Sequence, residues 1–350
     1  MFKSLRAGAQ FFQTYIGWNR VGVLLSLAII AAAVVVLIHM LRDTNADEVM
    51  AAVKAVQHRH IAAAAAFVTA GYFTLTFYDL FALRTIGHNE IPYRIAALSA
   101  FTSYSIGHNI GATVFTGGAV RYRIYSTYGL DAIAVAKICF VAGLTFWLGN
   151  ATVIGLGVAH SPHALGLLDR LPDWVNRSIA GATLLILACY LGWVWSAPRA
   201  IGRGEWKVHL PSGPSTLLQI CIGIIDLSCC ALAMYMLLPN GPNLGFVTLA
   251  VVFVSATMLG FASHAPGGIG VFDAAMLVAL CLYDIVDLLA ALLLFRLLYY
   301  LVPFAVALII LGTREIMLNM RGVRPIPQTE AVTASAPLRS EIEAKKTGAD

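Results

Sequence analysis

Apolar residues run through this chain in long blocks separated by short polar breaks. A bilayer crossing takes about 20 residues of helix, and blocks of that order lie at about 21–41, 61–83, 132–158, 179–195, 216–238, 244–263 and 286–312. Each predicts a membrane-spanning helix. Ahead of the first block, residues 1–20 mix Lys3, Arg6 and Arg20 with Phe11, Phe12, Tyr15, Ile16 and Trp18, the pattern of an interfacial segment held at headgroup level. After it, Thr44 and Asp47 make a capping-box-like start to a short helix with Val49, Val53 and Val56 on one side, expected to lie along the membrane surface.

Two further stretches are apolar without being ordinary spans. Leu98 to Arg123 is long enough to cross but is interrupted by Gly107, Gly111, Gly117 and Gly118 and carries many hydroxyl and amide side chains. Ser263 to Tyr283 opens on Pro266, Gly267, Gly268 and Gly270 before a short apolar run. Both read as broken or re-entrant elements. Charge counting favours a first stretch that enters and leaves on one side and a second that begins a short crossing, giving about eight crossings. Arg84, Arg94, Arg121, Arg123, Arg199, Arg203, Lys207 and Arg314 then share one side with the basic termini. The other side holds Arg42, Lys54, Arg59, Arg170 and Arg177, offset by acids. This is the expected positive-inside bias, with both termini cytoplasmic. The expected organisation is an interfacial segment at 1–20, an all-α polytopic integral membrane helix bundle at 21–312, and a disordered cytoplasmic tail at 313–350, where hydrophobicity stops.

Composition agrees: 59% of the 350 residues are apolar and 12% charged, which excludes a soluble globule. Net charge is +5, suited to an anionic membrane surface, while no clustered basic stripe points to nucleic acid. Cys139, Cys189, Cys221, Cys229, Cys230 and Cys281 all fall in apolar blocks without a CxxC pair, so they read as small core residues. The first block is too long for a signal-peptide core and is expected to stay as a helix.

Non-helical backbone at membrane depth survives only when buried in protein or lining a wet cavity, so two such stretches point to a polar cavity. Transporters aim half-helix amino ends at anionic groups near the midplane; the bland alternative is that the glycines only permit close helix packing. Ionisable residues inside the apolar blocks are Asp79, Lys137, Asp226, Asp273 and Arg296. Asp79 and Lys137 are expected to snorkel to an interface. Asp226, Asp273 and Arg296 are expected to pair internally or touch a ligand. His39, His108 and His264 are scattered and make a poor metal site; Tyr299 and Tyr300 read as packing or as a headgroup cover. There is no Gly-Lys dipeptide for a P-loop and no GxSxG, so no catalytic residue, metal or cofactor is expected.

The segments Gly107-His108-Asn109-Ile110-Gly111, Thr116-Gly117-Gly118-Ala119-Val120-Arg121-Tyr122-Arg123 with Tyr125 and Gly129, Ser263-His264-Ala265-Pro266-Gly267-Gly268-Ile269-Gly270-Val271-Phe272, and Arg296, Tyr299, Tyr300 and Pro303 together resemble the membrane region of the lysylphosphatidylglycerol synthase and flippase (multiple peptide resistance factor) proteins and their stand-alone relatives, over about residues 15–315. The resemblance implies a bundle that moves aminoacylated phosphatidylglycerol between leaflets, masking cell-membrane charge against cationic antimicrobial peptides. The soluble aminoacyl-transferase domain of full-length members does not follow, so lipid synthesis is not expected. Asp273 stands where the family usually has Glu. On this reading Asn109, Gly111, Thr116, Gly117, Gly118, Arg121, Arg123, Ser263, His264, Pro266, Gly267, Gly268, Gly270, Asp273, Arg296 and Tyr299 are the candidate substrate-binding residues. Arg121 and Arg123 would meet the lipid phosphate, and Asp273 with Asp226 a headgroup amine. Expected partners are a membrane phospholipid, a separate lipid synthase and a second copy of the chain. Two rival readings stay open: a membrane-embedded lipid-modifying transferase using His108, His264 or Asp273, and a non-transporting scaffold for a separate synthase.

Overall fold

The computed structural model describes residues 46–320 except positions 112, 170, 240, 242 and 243. The interfacial segment, the first span, His39, Thr44 and the chain beyond residue 320 lie outside the described residues. The helices are α1 Ala46–Ala55, α2 His58–Ile86, α3 Tyr93–Ile110, α4 Thr113–Tyr125, α5 Ala132–His160, α6 His163–Asp169, α7 Asp173–Ser196, α8 Gly213–Leu237, α9 Phe246–Ser263, α10 Val271–Ala279, α11 Ile285–Arg296 and α12 Val302–Met320. A two-stranded antiparallel ribbon, β1 Ala200–Ile201 with β2 Val208–His209, closes the loop between α7 and α8. Six helical segments are long and apolar enough to cross a membrane: α2, α5, α7, α8, α9, and α11 with α12 as far as Arg314. The fold is an all-α polytopic bundle, and α12 carries helix past the expected tail boundary to Met320.

Helix α2 is the centre, packing against α8, α3 and α5. Its Ala64, Val68, Tyr72 and Leu75 join Leu227, Met234, Phe253, Met276 and Phe295 in the main core. Where α5 crosses α8, side chains are dispensed with. A methyl on Gly149 would lie 2.7 Å from the Gly223 Cα, and one on Gly223 would lie 2.8 Å from the Gly149 Cα. The Gln219 amide bridges the same crossing by donating to Thr145 Oγ1 at 2.8 Å. Small residues for close backbone approach, with a polar side chain as glue, are how helices associate without a hydrophobic driving force.

The glycine-rich stretch after α2 is a hairpin. A methyl on Gly107 would lie 2.9 Å from Thr113 Cγ2, and one on Gly117 would lie 3.2 Å from the Ser103 carbonyl oxygen. Those pairs set an antiparallel register folded at Ile110, so α3 and α4 return to the end they started from. That end is defined by an apolar cluster of Leu83, Ile91, Ile124, Leu130, Val135 and Val208, and by Arg314, which donates to Thr127 Oγ1 at 3.1 Å. It gathers Arg84, Arg94, Arg123, Arg199, Arg203, Lys207 and Arg314, whereas the opposite end has Lys54, Arg59 and Arg177 beside Asp284 and Asp287. The charges segregate as the loop count requires.

The second stretch differs from expectation. Gly157 of α5 abuts Val251 of α9, and Phe146 packs edge-on to Phe261 at 5.3 Å. This antiparallel register brings the end of α9 beside Leu144 and Thr145, midway along α5. The chain then turns through Pro266–Gly268, and α10 runs back along α9. Gly268 touches Gly260 and Phe272 packs on Phe253, 5.5 Å between ring centroids. Tyr283, past α10, reaches Gly241 in the loop that precedes α9. So α9 and α10 form a second re-entrant hairpin, entering from the end opposite to the first, and the short crossing expected after Ser263 is replaced by a return. Sequence hydropathy made α9 a full span because its 18 residues are apolar throughout; depth is set by packing.

Replacing Gly149 with Val is expected to force α5 and α8 apart and cost roughly 1–3 kcal/mol, as overpacking does. Gly143, with no neighbour within 4 Å of an added methyl, should accept Ala without loss. Thermal unfolding of the purified chain in detergent measures both.

Candidate functional site

The two hairpin tips touch each other. Gly111 adopts φ 82° and ψ −177°, a combination that is essentially glycine-only, and a methyl there would lie 3.2 Å from the Pro266 Cα. Across the contact, Gly267 (φ 59°) faces the His108 carbonyl oxygen and the Tyr300 ring, 3.6 and 3.7 Å from where its methyl would be. A third irregular element joins them: α11 passes into α12 through a π turn at Leu297–Leu301. Pro303 lacks the N–H that would serve the Tyr299 carbonyl four residues earlier. The Tyr72 hydroxyl donates to that carbonyl instead, at 3.0 Å. Asn109 at the first tip donates through Nδ2 to the Tyr300 carbonyl at 3.0 Å and to Ser105 O at 2.8 Å.

Two guanidinium–carboxylate pairs flank this junction. Arg121 of α4 donates to Asp79 of α2 through Nε at 3.0 Å and Nη2 at 2.8 Å. The Tyr125 hydroxyl also donates to Asp79, at 2.9 Å, and the guanidinium lies 4.7 Å over the Tyr104 ring. Arg121 and Asp79 are 4% and 0% exposed, so Asp79 does not snorkel as expected: Arg121, delivered by the returning arm of the hairpin, neutralises it where it stands. Arg296 of α11 binds Asp273 of α10 through Nε at 2.9 Å and Nη2 at 2.5 Å, and its Nη1 donates to the Gly267 carbonyl at 3.3 Å. Asp273 also accepts the Gly270 N–H at 3.0 Å. This second pair is more open, 17% and 14% exposed. A ladder of rings runs between the pairs: Tyr104 to His108 at 5.6 Å, His108 to Tyr299 at 6.0 Å, Tyr299 to Phe295 at 5.3 Å and Phe295 to Phe272 at 6.1 Å. Arg296 lies over the Tyr300 ring at 5.6 Å.

The structure brings Asn109, Gly111, Pro266, Gly267, Arg296 and Tyr299 to the junction. Thr116 donates to the Gly111 carbonyl at 3.0 Å, fastening the tip. Gly117 makes room for the Ser103 backbone and Arg121, and Gly118 for Cys139. Ser263 caps the end of α9 by donating to Gly260 O at 2.6 Å and accepting the Ala265 N–H. His264, exposed, makes the turn itself at φ 55°. Gly268 and Gly270 shape the turn into α10. Arg123 is on the exposed face at the far end of α4, away from the tip. Lys137 is half-buried near the start of α5. Asp226, midway along α8, accepts from Tyr78 at 3.1 Å.

Sequence reasoning did not single out Tyr72, Tyr78 or Tyr104, whose role depends on α2 and α3 lying together. It also missed an internal symmetry. The order long helix, hairpin, long helix occurs twice, as α2, α3–α4, α5 and again as α8, α9–α10, α11–α12, with opposite orientation. Such inverted repeats place binding sites near the midplane. One echo was available: His-x-x-Gly followed by Val-Phe at His108, Gly111, Val114 and Phe115 recurs at His264, Gly267, Val271 and Phe272. A separate, mainly apolar groove of about 280 Å³ between α5, α8 and α9, bordered by Thr152, His160, Ser228 and Val247, shares none of the junction residues.

No family model matches the chain. It is similar to uncharacterized protein slr0712 of Synechocystis, 29% identical over 276 residues, covering 79% of this chain and 85% of that one. Inner membrane protein YbhN of Escherichia coli is likewise 29% identical over 298 residues, 83% of this chain and 92% of that protein. Phosphatidylglycerol lysyltransferase of Staphylococcus haemolyticus is 26% identical over 235 residues; the match takes in 63% of this chain and 24% of the lysyltransferase.

Removing one partner of a buried ion pair leaves an uncompensated charge, at about 3–5 kcal/mol. Asp79→Ala should therefore lower stability by that order, and the combined Asp79→Asn, Arg121→Gln change by much less. Thermal unfolding in detergent separates the two.

Proposed function

We propose that this relative of inner membrane protein YbhN and of phosphatidylglycerol lysyltransferase is a bacterial inner-membrane phospholipid translocase. A headgroup passes beside the joined hairpin tips while the acyl chains stay in the bilayer. The observation that carries this reading is that interrupted backbone and an intramembrane guanidinium–carboxylate pair, Arg296 with Asp273, share one place midway through the bundle, with a second pair, Arg121 with Asp79, toward the arginine-rich end. A bilayer resists headgroups because burying an unpaired charge is prohibitive. Each pair offers the two charges a lipid bearing both phosphate and amine needs. The guanidinium fork that grips a carboxylate also grips a phosphate bidentately. If the headgroup phosphate takes the arginine while its amine takes the aspartate, no charge is stranded during passage. The more open pair, Arg296 with Asp273, is the one for that exchange; Arg121 with Asp79 is the better sealed anchor.

The substrate class follows from the lysyltransferase likeness and the sequence motifs: aminoacylated phosphatidylglycerol such as the lysyl form. That lipid carries one net positive charge, and its export works against an interior-negative potential by about 2.3 kcal/mol per 100 mV. The arginine-rich end of the bundle, with both termini, faces the cytoplasm.

The test is translocation by the full chain in liposomes containing labelled lysyl-phosphatidylglycerol, followed by leaflet exposure. Wild type is expected to exceed protein-free liposomes, and the combined Asp273→Asn, Arg296→Gln variant, which strands no charge, is expected, where thermal unfolding shows it folded, to be slowed at least about tenfold, corresponding to about 1.4 kcal/mol. Equal rates for wild type and protein-free liposomes, or for variant and wild type, contradict the reading.

A further inference from the structure

Of the three intramembrane carboxylates in the described helices, two have guanidinium partners and Asp226 has a phenol. It is 4% exposed. Tyr78 donates to Oδ2, while the buried Oδ1 has no hydrogen-bond partner. The groups around it are Tyr72 and Tyr78 of α2, Tyr104 of α3, Tyr299 of the π turn, and Cys229 and Cys230 of its own helix. Helices α5, α7, α9 and α11 also border α8, and among the described residues none brings a cation within ion-pairing distance of Asp226. Gly71, whose methyl would lie 3.8 Å from Oδ1, leaves that oxygen bounded by small residues.

A carboxylate in such surroundings, with one hydrogen bond and no counter-ion, is too costly to bury. A carboxylic acid costs far less, since the proton removes the charge and Tyr78 still donates to Oδ2. We infer that Asp226 is a proton-binding site, loaded in the conformation seen here and emptied when the packing around the junction changes. The link to the junction is short. Tyr78 packs on Tyr104 at 5.9 Å, Tyr104 lies under Arg121, and Tyr72 packs on Tyr299 at 5.5 Å while bonding its carbonyl. A shift of the first hairpin tip or the π turn therefore disturbs the walls of the Asp226 site. Coupling of this proton to headgroup passage rests on the translocase reading; occupancy of the site by a proton does not.

Two measurements on the full chain in liposomes keep those apart. Infrared difference spectra across a pH series are expected to show, above the range in which exposed carboxyls protonate, a protonated-carboxyl C=O band that Asp226→Asn abolishes and Tyr78→Phe moves to higher frequency by removing its hydrogen bond. Absence of the band in wild type, its persistence in Asp226→Asn, or its loss on adding sodium ions at fixed pH overturns the proton site. In transport assays an imposed pH gradient is expected to change the wild-type rate severalfold and to leave the Asp226→Asn rate unaltered. A gradient response that survives in Asp226→Asn overturns the coupling. Wild type that moves no lipid while retaining the band contradicts the translocase reading and leaves the proton site standing.

Discussion

The structure depends on one constraint: inside hydrocarbon every backbone polar group must find its partner within the protein, at a cost of several kcal/mol for each that does not. This chain breaks helical continuity at Gly111, through Pro266–Gly268 and across Leu297–Leu301. Each break is answered from another element. Thr116 of α4 serves the Gly111 carbonyl, Arg296 of α11 the Gly267 carbonyl, and Tyr72 of α2 and Asn109 of α3 the Tyr299 and Tyr300 carbonyls. The interruptions are therefore mutually dependent. None of them is satisfied by its own helix alone, which explains why the two tips and the π turn occupy one place.

Charge follows the same logic. Arg121 and Asp79 neutralise each other at almost no exposure, held by Tyr125 and Tyr104, an arrangement that fixes the first hairpin against α2. Arg296 and Asp273 are looser and lie against the turn of the second hairpin. Buried pairs are weak contributors to stability but strong determinants of which groups must stay together. Their inequality leaves the first pair sealed and the second partly open.

Much of this was legible in the sequence. Long apolar blocks set α2, α5, α7 and α8 to within a few residues, because one-sided polarity is no requirement in a membrane and length alone suffices. The hairpin at Gly111 was visible for a chemical reason: glycines and hydroxyls clustered in an otherwise apolar run. The second hairpin was half visible. Its turn stood out at Pro266 to Gly270, but the depth of α9 is fixed by Gly157 against Val251 and Phe146 against Phe261, contacts between residues about a hundred apart. Asp79 was misjudged for the same reason, since its partner lies 42 positions on and only the hairpin brings it back. Arg123, beside Arg121 in the motif, points away because neighbours on a helix face different sides.

The central claim is that the joined tips form a place in mid-bundle able to hold a charged lipid end. A single-particle density map of the full chain in nanodiscs containing lysyl-phosphatidylglycerol tests it most directly. The account predicts phosphate density within hydrogen-bonding reach of Arg296, beside Asn109 and Gly267. Acyl chains alone around sealed, separated tips would contradict it.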